Sequence, residues 1–228
     1  MFCAMDDGGE AEEEAVMILP ADYSDEARAL WSAALALNRA AGAVSLPPLL
    51  FFTDPARTPR PWETAGRLPA GAGIVFRAFG APDAEAMGQR LRAATEAAGV
   101  RLLVGLDAAL AERIGADGVH LPERAAHDVA ALKSRRPDWI VTAAWHGAGE
   151  APQGADALVL SPVFPPGGAS AGTPALGVDG FVRRRARARV PVYALGGIGP
   201  DNAARLGASG ACGLAGVQAI QAAFARRG

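Results

Sequence analysis

The sequence has few aromatic residues and no long apolar run, and both shortages argue against particular classes of protein. Phe, Trp and Tyr together make up 6% of the 228 residues. No run of about 18 or more apolar residues occurs, which argues against a membrane-spanning helix. The chain begins MFCAMDDGGEAEEEA, an acidic stretch rather than a basic segment followed by an apolar one. This beginning argues against a secretory signal.

Cysteine is also scarce. Cys3 and Cys212 stand far apart, in a spacing that forms neither a metal site nor a redox motif. Chains that use cysteine so sparingly are typical of reducing compartments. We therefore predict a cytoplasmic protein without a cysteine-based metal centre.

Basic residues are absent from the beginning of the chain. Nine acidic residues and no basic ones precede Arg28, which leaves 22 basic and 15 acidic residues in the remainder. Much of that excess lies in an arginine run at 183–189, which is typical of a solvated helix face. No aromatic residues are interleaved with these arginines, so the sequence does not predict nucleic-acid binding.

Three segments are expected along the chain. Residues 1–24 are predicted to form a flexible acidic tail, and residues 25–48 an N-terminal helix and linker. The helix is expected over 25–41, where Ala and Leu dominate, with Gly42 as its stop. Residues 49–228 are predicted to form the main domain.

Short apolar runs alternate with Ala-rich helical stretches throughout this main domain. The runs are 49–53, 73–78, 101–105, 117–121, 139–143, 156–161, 191–195 and 211–215. Strands that are apolar on both faces and alternate with helices indicate a parallel sheet. Eight such units predict an α/β fold, a closed (β/α)8 TIM barrel with an extra N-terminal helix. An open Rossmann-like sheet is the alternative, but no G-x-G-x-x-G follows the first strand.

Barrels of this kind place their sites in the loops after the strands, and phosphate commonly binds after strands seven and eight. Gly196 and Gly197 follow the seventh predicted strand and allow an anion close to the backbone. Gly216 and Val217 follow the eighth, and Gly216 is predicted to open the last helix, whose first N–H groups are unpaired. We therefore predict a phosphate site at these four residues.

Several segments, taken in order, resemble the thiamine phosphate synthase and thiazole tautomerase (TenI) superfamily. They are 115-GADGVHLP-122, 154-GADALVLSPVFPP-166, 174-PALG-177 and 194-ALGGI-198. The resemblance runs from about residue 49 to residue 220. It implies a barrel that holds a thiazole phosphate after strands seven and eight.

The chain departs from the synthase pattern where that pattern carries charge. The resemblance implies Q-x-R-x-K on strand two. Arg77 matches the Arg of this pattern and is assigned to substrate or phosphate binding. Val75 and Phe79 replace its Gln and Lys. It also implies N-D-R after strand three, where the chain has 105-GLD-107, and a metal-binding Asp where the chain has Ala125.

Magnesium, which the resemblance implies for synthase chemistry, needs carboxylate and phosphate oxygens. Asp107 and Glu123 are candidates to replace the missing ligands. We favour a helix cap for Asp107 and a solvated turn residue for Glu123. The prediction is therefore no metal site and no cofactor, with Mg²⁺ required only if the protein is a synthase.

His146 is the candidate catalytic residue. It matches the histidine of a family S-x-H segment after strand five, in which Ala144 replaces the serine. The resemblance implies a proton shuttle on a thiazole carboxylate phosphate in tautomerase-type members. Histidine is suited to such work without a metal. His120 is predicted to be packed and hydrogen-bonded in the fold, and His127 to be exposed on a helix.

Three functions remain in competition at this level. The first is a metal-independent, tautomerase-like enzyme of thiamine biosynthesis, acting on a small phosphorylated heterocycle. The second is a divergent thiamine phosphate synthase that joins a pyrimidine pyrophosphate to a thiazole phosphate. The third is a barrel that binds a phosphorylated ligand without catalysis. A homo-oligomer is left open.

Overall fold

The computed structural model describes residues 19–147, 149–167 and 171–225. The predicted acidic tail over 1–18 lies outside them. Residues 19–24, assigned to the tail from sequence, pack against the body of the protein. Leu19 is buried, and the guanidinium of Arg28 donates to the carbonyls of Leu19, Pro20 and Tyr23.

Eight parallel strands close into a barrel, as the alternating pattern predicts. In chain order they are β1 (Leu49–Phe52), β2 (Gly73–Phe76), β3 (Arg101–Gly105), β4 (Gly118–Leu121), β5 (Ile140–Trp145), β6 (Ala157–Leu160), β7 (Val192–Leu195) and β8 (Leu214–Gly216). Each strand pairs with the next, and β8 pairs with β1 through the Leu50–Ala215 register. The open-sheet alternative is therefore wrong.

Helices lie between the strands, with one preceding the barrel. They are α1 (Asp25–Ala40), α2 (Pro61–Ala65), α3 (Ala84–Ala98), α4 (Ala108–Arg113), α5 (Val129–Arg135), α6 (Gly177–Arg185) and α7 (Gln218–Ala223). Two further segments are 3₁₀ helices, at Glu123–Asp128 before α5 and at Ala203–Leu206 after β7. Over the described residues, no helix combines the length and the apolar character needed to cross a membrane.

Two buried clusters make the core. The larger one lies between the strands and the surrounding helices, and the smaller one fills the barrel interior. Leu50, Phe52, Val75, Leu103 and Tyr193 belong to the interior cluster. Their neighbours along each strand face the helices, which explains why the strands are apolar on both faces.

The segment after α1 closes the N-terminal end of the barrel. Asn38, buried at the end of α1, donates through Nδ2 to the carbonyls of Ala43, Leu46 and Cys212. The hydroxyl of Tyr193 donates to the carbonyl of Pro47 at 2.6 Å. These bonds seal one end, and the loops that follow the strands surround the other.

The repeated Gly-Ala-Asp motif fixes the start of two strands. The carboxylate of Asp117 accepts from the N–H of Leu102 at 2.7 Å and pairs with Arg92 at 2.7 Å. Asp156 repeats this arrangement, because it accepts from the N–H of Val141 at 2.7 Å and pairs with Lys133 at 3.0 Å. Both aspartates therefore have a structural role at the end opposite the predicted site.

Candidate functional site

A cavity of about 550 Å³ opens at the carboxyl ends of the strands. The loops after β7 and β8 form one wall, and residues that follow β1, β2, β5 and β6 form the others. Six residues assigned from sequence line it together: Arg77, His146, Gly196, Gly197, Gly216 and Val217. The fold thus brings the whole predicted set to one cavity.

The turn after β7 requires glycine. Gly196 and Gly197 have φ angles of 102° and 62°, in the region that disfavours other residues. A Cβ on Gly197 would lie 2.5 Å from the carbonyl oxygen of Pro165. Asn202 holds the turn, because its Nδ2 donates to Gly197 and its Oδ1 accepts from the N–H of Gly199.

Backbone N–H groups at this wall are available for an anion. Gly216 ends β8, and Val217 precedes α7. Within the part of the chain that the structure describes, the N–H groups of Gly197 and Val217 have no hydrogen-bond partner. Both residues face the cavity, so their N–H groups can donate to an anion held between the two loops.

Arg77 lines the cavity from the segment that follows β2 and is tied to the end of β1. Its Nε donates to the carbonyl of Thr53 at 2.6 Å, and its Nη2 lies 3.7 Å from Asp54 Oδ2. Burial lowers the pKa of Arg77, and the nearby Asp54 opposes that shift. Nη2 is buried without a hydrogen-bond partner in the described structure. It therefore retains capacity to donate to an anion.

Arg57 is a cavity residue that the sequence analysis missed. Its guanidinium pairs with Asp54 at 2.8 Å, and Arg57 lines the same cavity as Arg77. The side-chain hydrogen bond from Arg57 holds the pKa of Asp54 below its usual value. Arg57 lies in a Pro-containing loop without a motif, so nothing in the sequence was a reason to select it. It comes close to Arg77 because β1 pairs with β2.

His146 immediately follows β5 and contacts Glu123, which begins the 3₁₀ helix after β4. His146 Nδ1 lies 2.7 Å from Glu123 Oε2, and the His146 backbone N–H donates to Oε1 at 3.1 Å. The side chains are 57% and 39% exposed, so ligands and solvent can reach the pair. Glu123 is thus solvated, as predicted, but it is also paired with His146, a contact that the sequence analysis did not predict. The neighbouring ends of β4 and β5 are what bring it to His146.

The other histidines take the places predicted for them. His120 is buried inside the barrel, with Nδ1 2.9 Å from Thr142 Oγ1 and its ring edge-on to Phe52. Burial, with a smaller contribution from the charge of Arg77, lowers its pKa to about 3. His127 is exposed, with 76% of its side chain accessible.

The arginine run is not simply a solvated face. Arg187 lies outside α6 and donates to the carbonyls of Gly147 and Gly149. Arg184, on α6, has its side chain against Gly147. Arg187 is exposed, as predicted, although it lies beyond the helix, whereas Arg184 is half-buried because α6 packs beside the loop that follows β5.

The family model for thiamine monophosphate synthase (TMP-TENI) matches residues 66–220, which include most of this cavity. The chain belongs to this family. Membership confirms the superfamily resemblance drawn from the sequence motifs.

Several thiamine-phosphate synthases are relatives of this family member. The one from Moorella thermoacetica is 35% identical over 141 residues, covering 59% of this chain and 66% of the relative. The bifunctional protein ThiM/ThiE from Symbiobacterium thermophilum is 38% identical over 136 residues, covering 58% of this chain and 28% of the relative. The matches thus span less than two thirds of either relative.

A solved structure agrees on the fold. Thiamine phosphate pyrophosphorylase from Pyrococcus furiosus superposes with a TM-score of 0.64 at 24% identity. The superposition covers 79% of this chain and 93% of that one. At this identity the likeness supports the barrel architecture alone.

The carboxylates of this family member do not fit the magnesium site that the family implies. Across 19–147, 149–167 and 171–225, no group of three or more His, Cys, Asp or Glu residues could hold a metal ion. Asp107 caps α4 by accepting from the N–H of Leu110 at 2.8 Å. Glu123 pairs with His146, and Ala125 is a buried apolar residue. The candidate replacements therefore have other partners.

Proposed function

We propose that this chain acts in thiamine biosynthesis by binding a phosphorylated thiazole-type ligand in the cavity. The unpaired N–H groups of Gly197 and Val217 support a phosphate position between the loops after β7 and β8. Gly196 and Gly216 keep side chains away from that position. Arg77 lines the same cavity from the segment that follows β2, and its positive charge favours an anionic ligand.

We further propose that His146 moves a proton on the bound heterocycle, and the Glu123–His146 contact carries this proposal. A carboxylate can only accept, so Nδ1 bears the proton of the bond to Glu123. Nε2 of the neutral ring then has a free lone pair. Nε2 accepts a proton from one atom of the bound heterocycle while Glu123 stabilises the imidazolium. It then returns that proton to another atom of the heterocycle. The protein ends in its starting protonation state.

Thiamine phosphate synthesis is the second candidate. The name of the Moorella thermoacetica relative, thiamine-phosphate synthase, supports it better than it supports a tautomerase. Its magnesium would need ligands other than the family's, because Ala125 replaces one carboxylate and Asp107 caps a helix. No step through the metal is therefore assigned to these residues.

Two assays run side by side on the purified chain test these candidates. One follows tautomerisation of a thiazole carboxylate phosphate in the presence of EDTA. The other follows thiamine phosphate formation from the pyrimidine pyrophosphate and the thiazole phosphate with Mg²⁺. Turnover in the first that is lost in His146→Asn supports proton transfer. Turnover in the second alone supports synthesis, and binding without turnover in either supports a ligand-binding barrel.

A further inference from the structure

Arg184 is half-buried, unlike its exposed neighbour Arg183, and its side chain lies against the loop that follows β5. It projects from α6 onto the backbone that follows His146. Gly147 has a φ of 78°, and a Cβ there would overlap Cδ and Nε of Arg184. Gly147 is therefore what allows the guanidinium to lie beside His146.

The charge of Arg184 is not neutralised by the protein. Among the described residues, no carboxylate forms an ion pair with it, whereas Arg67, Arg77 and Arg92 each have one. Nη1 makes a long bond of 3.4 Å to the carbonyl of Gly180 in its own helix. Nε is buried and finds no hydrogen-bond partner among the residues that the structure describes. A buried N–H without an acceptor is unfavourable, so the group gains from a ligand that supplies one.

Arg184 borders a second cavity of about 420 Å³. His146, Ser161 and Thr173 also line it, and these described lining residues include no carboxylate. His146 and Ser161 belong to both this cavity and the larger one. The two cavities thus adjoin at His146, and Arg184 lines the second but not the first.

We propose that Arg184 forms a second oxyanion subsite, for a carboxylate or phosphate group, beside His146. A planar guanidinium suits either group, and the hydroxyls of Ser161 and Thr173 stand at the same cavity. The subsite extends the proposed function, and it rests on that function for the position of the ligand's phosphate. A ligand whose phosphate lies at Gly197 and Val217 would carry a second anionic group toward Arg184, with the reacting ring between them at His146.

NMR of the arginine Nε–Hε groups tests this subsite directly. The full chain is titrated separately with sodium acetate and with inorganic phosphate, at constant ionic strength set by NaCl. We expect the Arg184 signal to shift and saturate with at least one anion. The anion that binds more tightly identifies the group, carboxylate or phosphate, for which the subsite is built.

Two variants separate binding from a structural role. Arg184→Gln should lower the affinity for the anion at least tenfold, as measured from the amide signals of His146 and Gly147. Arg184→Lys should retain part of the affinity, because it keeps the charge but loses the planar fork. Arg183→Gln, which changes an exposed neighbour on the same helix, should leave affinity within twofold. Equal melting temperatures for Arg184→Lys and the parent establish that the fold is retained.

The outcomes also separate this proposal from the proposed function. If phosphate shifts the amides of Gly197 and Val217 while Arg184 responds to neither anion, the subsite is wrong and the phosphate position stands. If Arg184 responds and those amides do not, the subsite stands and the phosphate position is wrong. An Arg183→Gln variant that loses affinity as Arg184→Gln does would overturn the subsite in favour of general charge attraction.

Discussion

Glu123 holds His146 by two bonds, one to the ring at 2.7 Å and one to the backbone N–H at 3.1 Å. The carboxylate therefore fixes the position of the residue as well as the orientation of its ring. Because Glu123 begins the segment after β4 and His146 the segment after β5, parallel pairing of these strands sets the contact. The arrangement directs Nδ1 toward the carboxylate and leaves Nε2 for a ligand.

Replacement of His146 tests the proton-transfer proposal. His146→Asn should lower tautomerase turnover by roughly 10²- to 10⁴-fold, the usual contribution of a positioned acid–base group. Affinity for the phosphorylated ligand should stay within severalfold, because the phosphate is held elsewhere. Glu123→Gln should lower turnover less, since the amide retains a hydrogen bond but loses the charge that stabilises the imidazolium. Steady-state kinetics and calorimetric titration measure the two effects.

His127→Asn is the matched control, because His127 is exposed on the neighbouring 3₁₀ helix. It should leave both turnover and affinity unchanged. An unaltered rate in His146→Asn would remove the catalytic role and leave the ligand-binding hypothesis.

The phosphate position can be tested with two glycines of one turn. Gly197→Ala should weaken inorganic phosphate binding at least tenfold, because φ is 62° and the added Cβ would lie 2.5 Å from the Pro165 carbonyl. Gly199→Ala should stay within severalfold, since its Cβ would meet the Ala219 side chain at an ordinary 3.9 Å. Amide chemical shifts measure both affinities. Equal affinities in the two variants would place the phosphate elsewhere.

The barrel could be predicted from sequence because its signals are local. Each strand is a short apolar run, and each is followed by a turn and a helix-forming stretch. The glycines after β7 and β8 could also be assigned to a phosphate site from the sequence, because the positions of such sites in these barrels follow from strand order. Boundaries were less accurate: β8 begins at Leu214, whereas the apolar run starts at residue 211.

Contacts between separate loops could not be predicted in the same way. Glu123 and His146 are 23 residues apart, and Arg184 approaches Gly147 from a different helix. Considered singly, charged residues such as these are predicted to lie on the solvated surface. Only the order and register of the strands bring these groups to one end of the barrel, so their contacts can be identified only from the folded structure.

Asp107 separates a capping role from a metal-binding role. Asp107→Ala should lower the free energy of unfolding by about 1 kcal/mol, the usual cost of losing an N-cap. Asp107→Asn should cost much less, because Asn caps comparably well. Urea denaturation measures both. If Asp107→Asn instead keeps the stability but abolishes Mg²⁺-dependent formation of thiamine phosphate, the carboxylate is a metal ligand and the synthase candidate leads.

The buried His120 should make the protein less stable in acid. Its pKa is about 3 in the folded protein, against about 6.5 for an exposed histidine. Between these values the unfolded chain binds a proton that the folded chain does not. Stability therefore falls as pH drops from about 6.5 toward 3, with a contribution from this residue of up to about 1.4 kcal/mol per pH unit. Above about 6.5 the contribution is constant.

His120→Gln tests this pH dependence, because Gln can still bond to Thr142 and does not titrate. Urea unfolding measured at several pH values from 7 to about 4 should give a shallower pH slope for His120→Gln than for the parent. His127→Gln, at an exposed histidine, is the control for the general effect of replacing a histidine by glutamine. Carboxylates contribute equally to all three proteins, so the difference in slope isolates His120. Identical slopes would mean that the folded protein protonates His120 as readily as the unfolded chain does, in contradiction to its burial beneath Phe52 and Arg77.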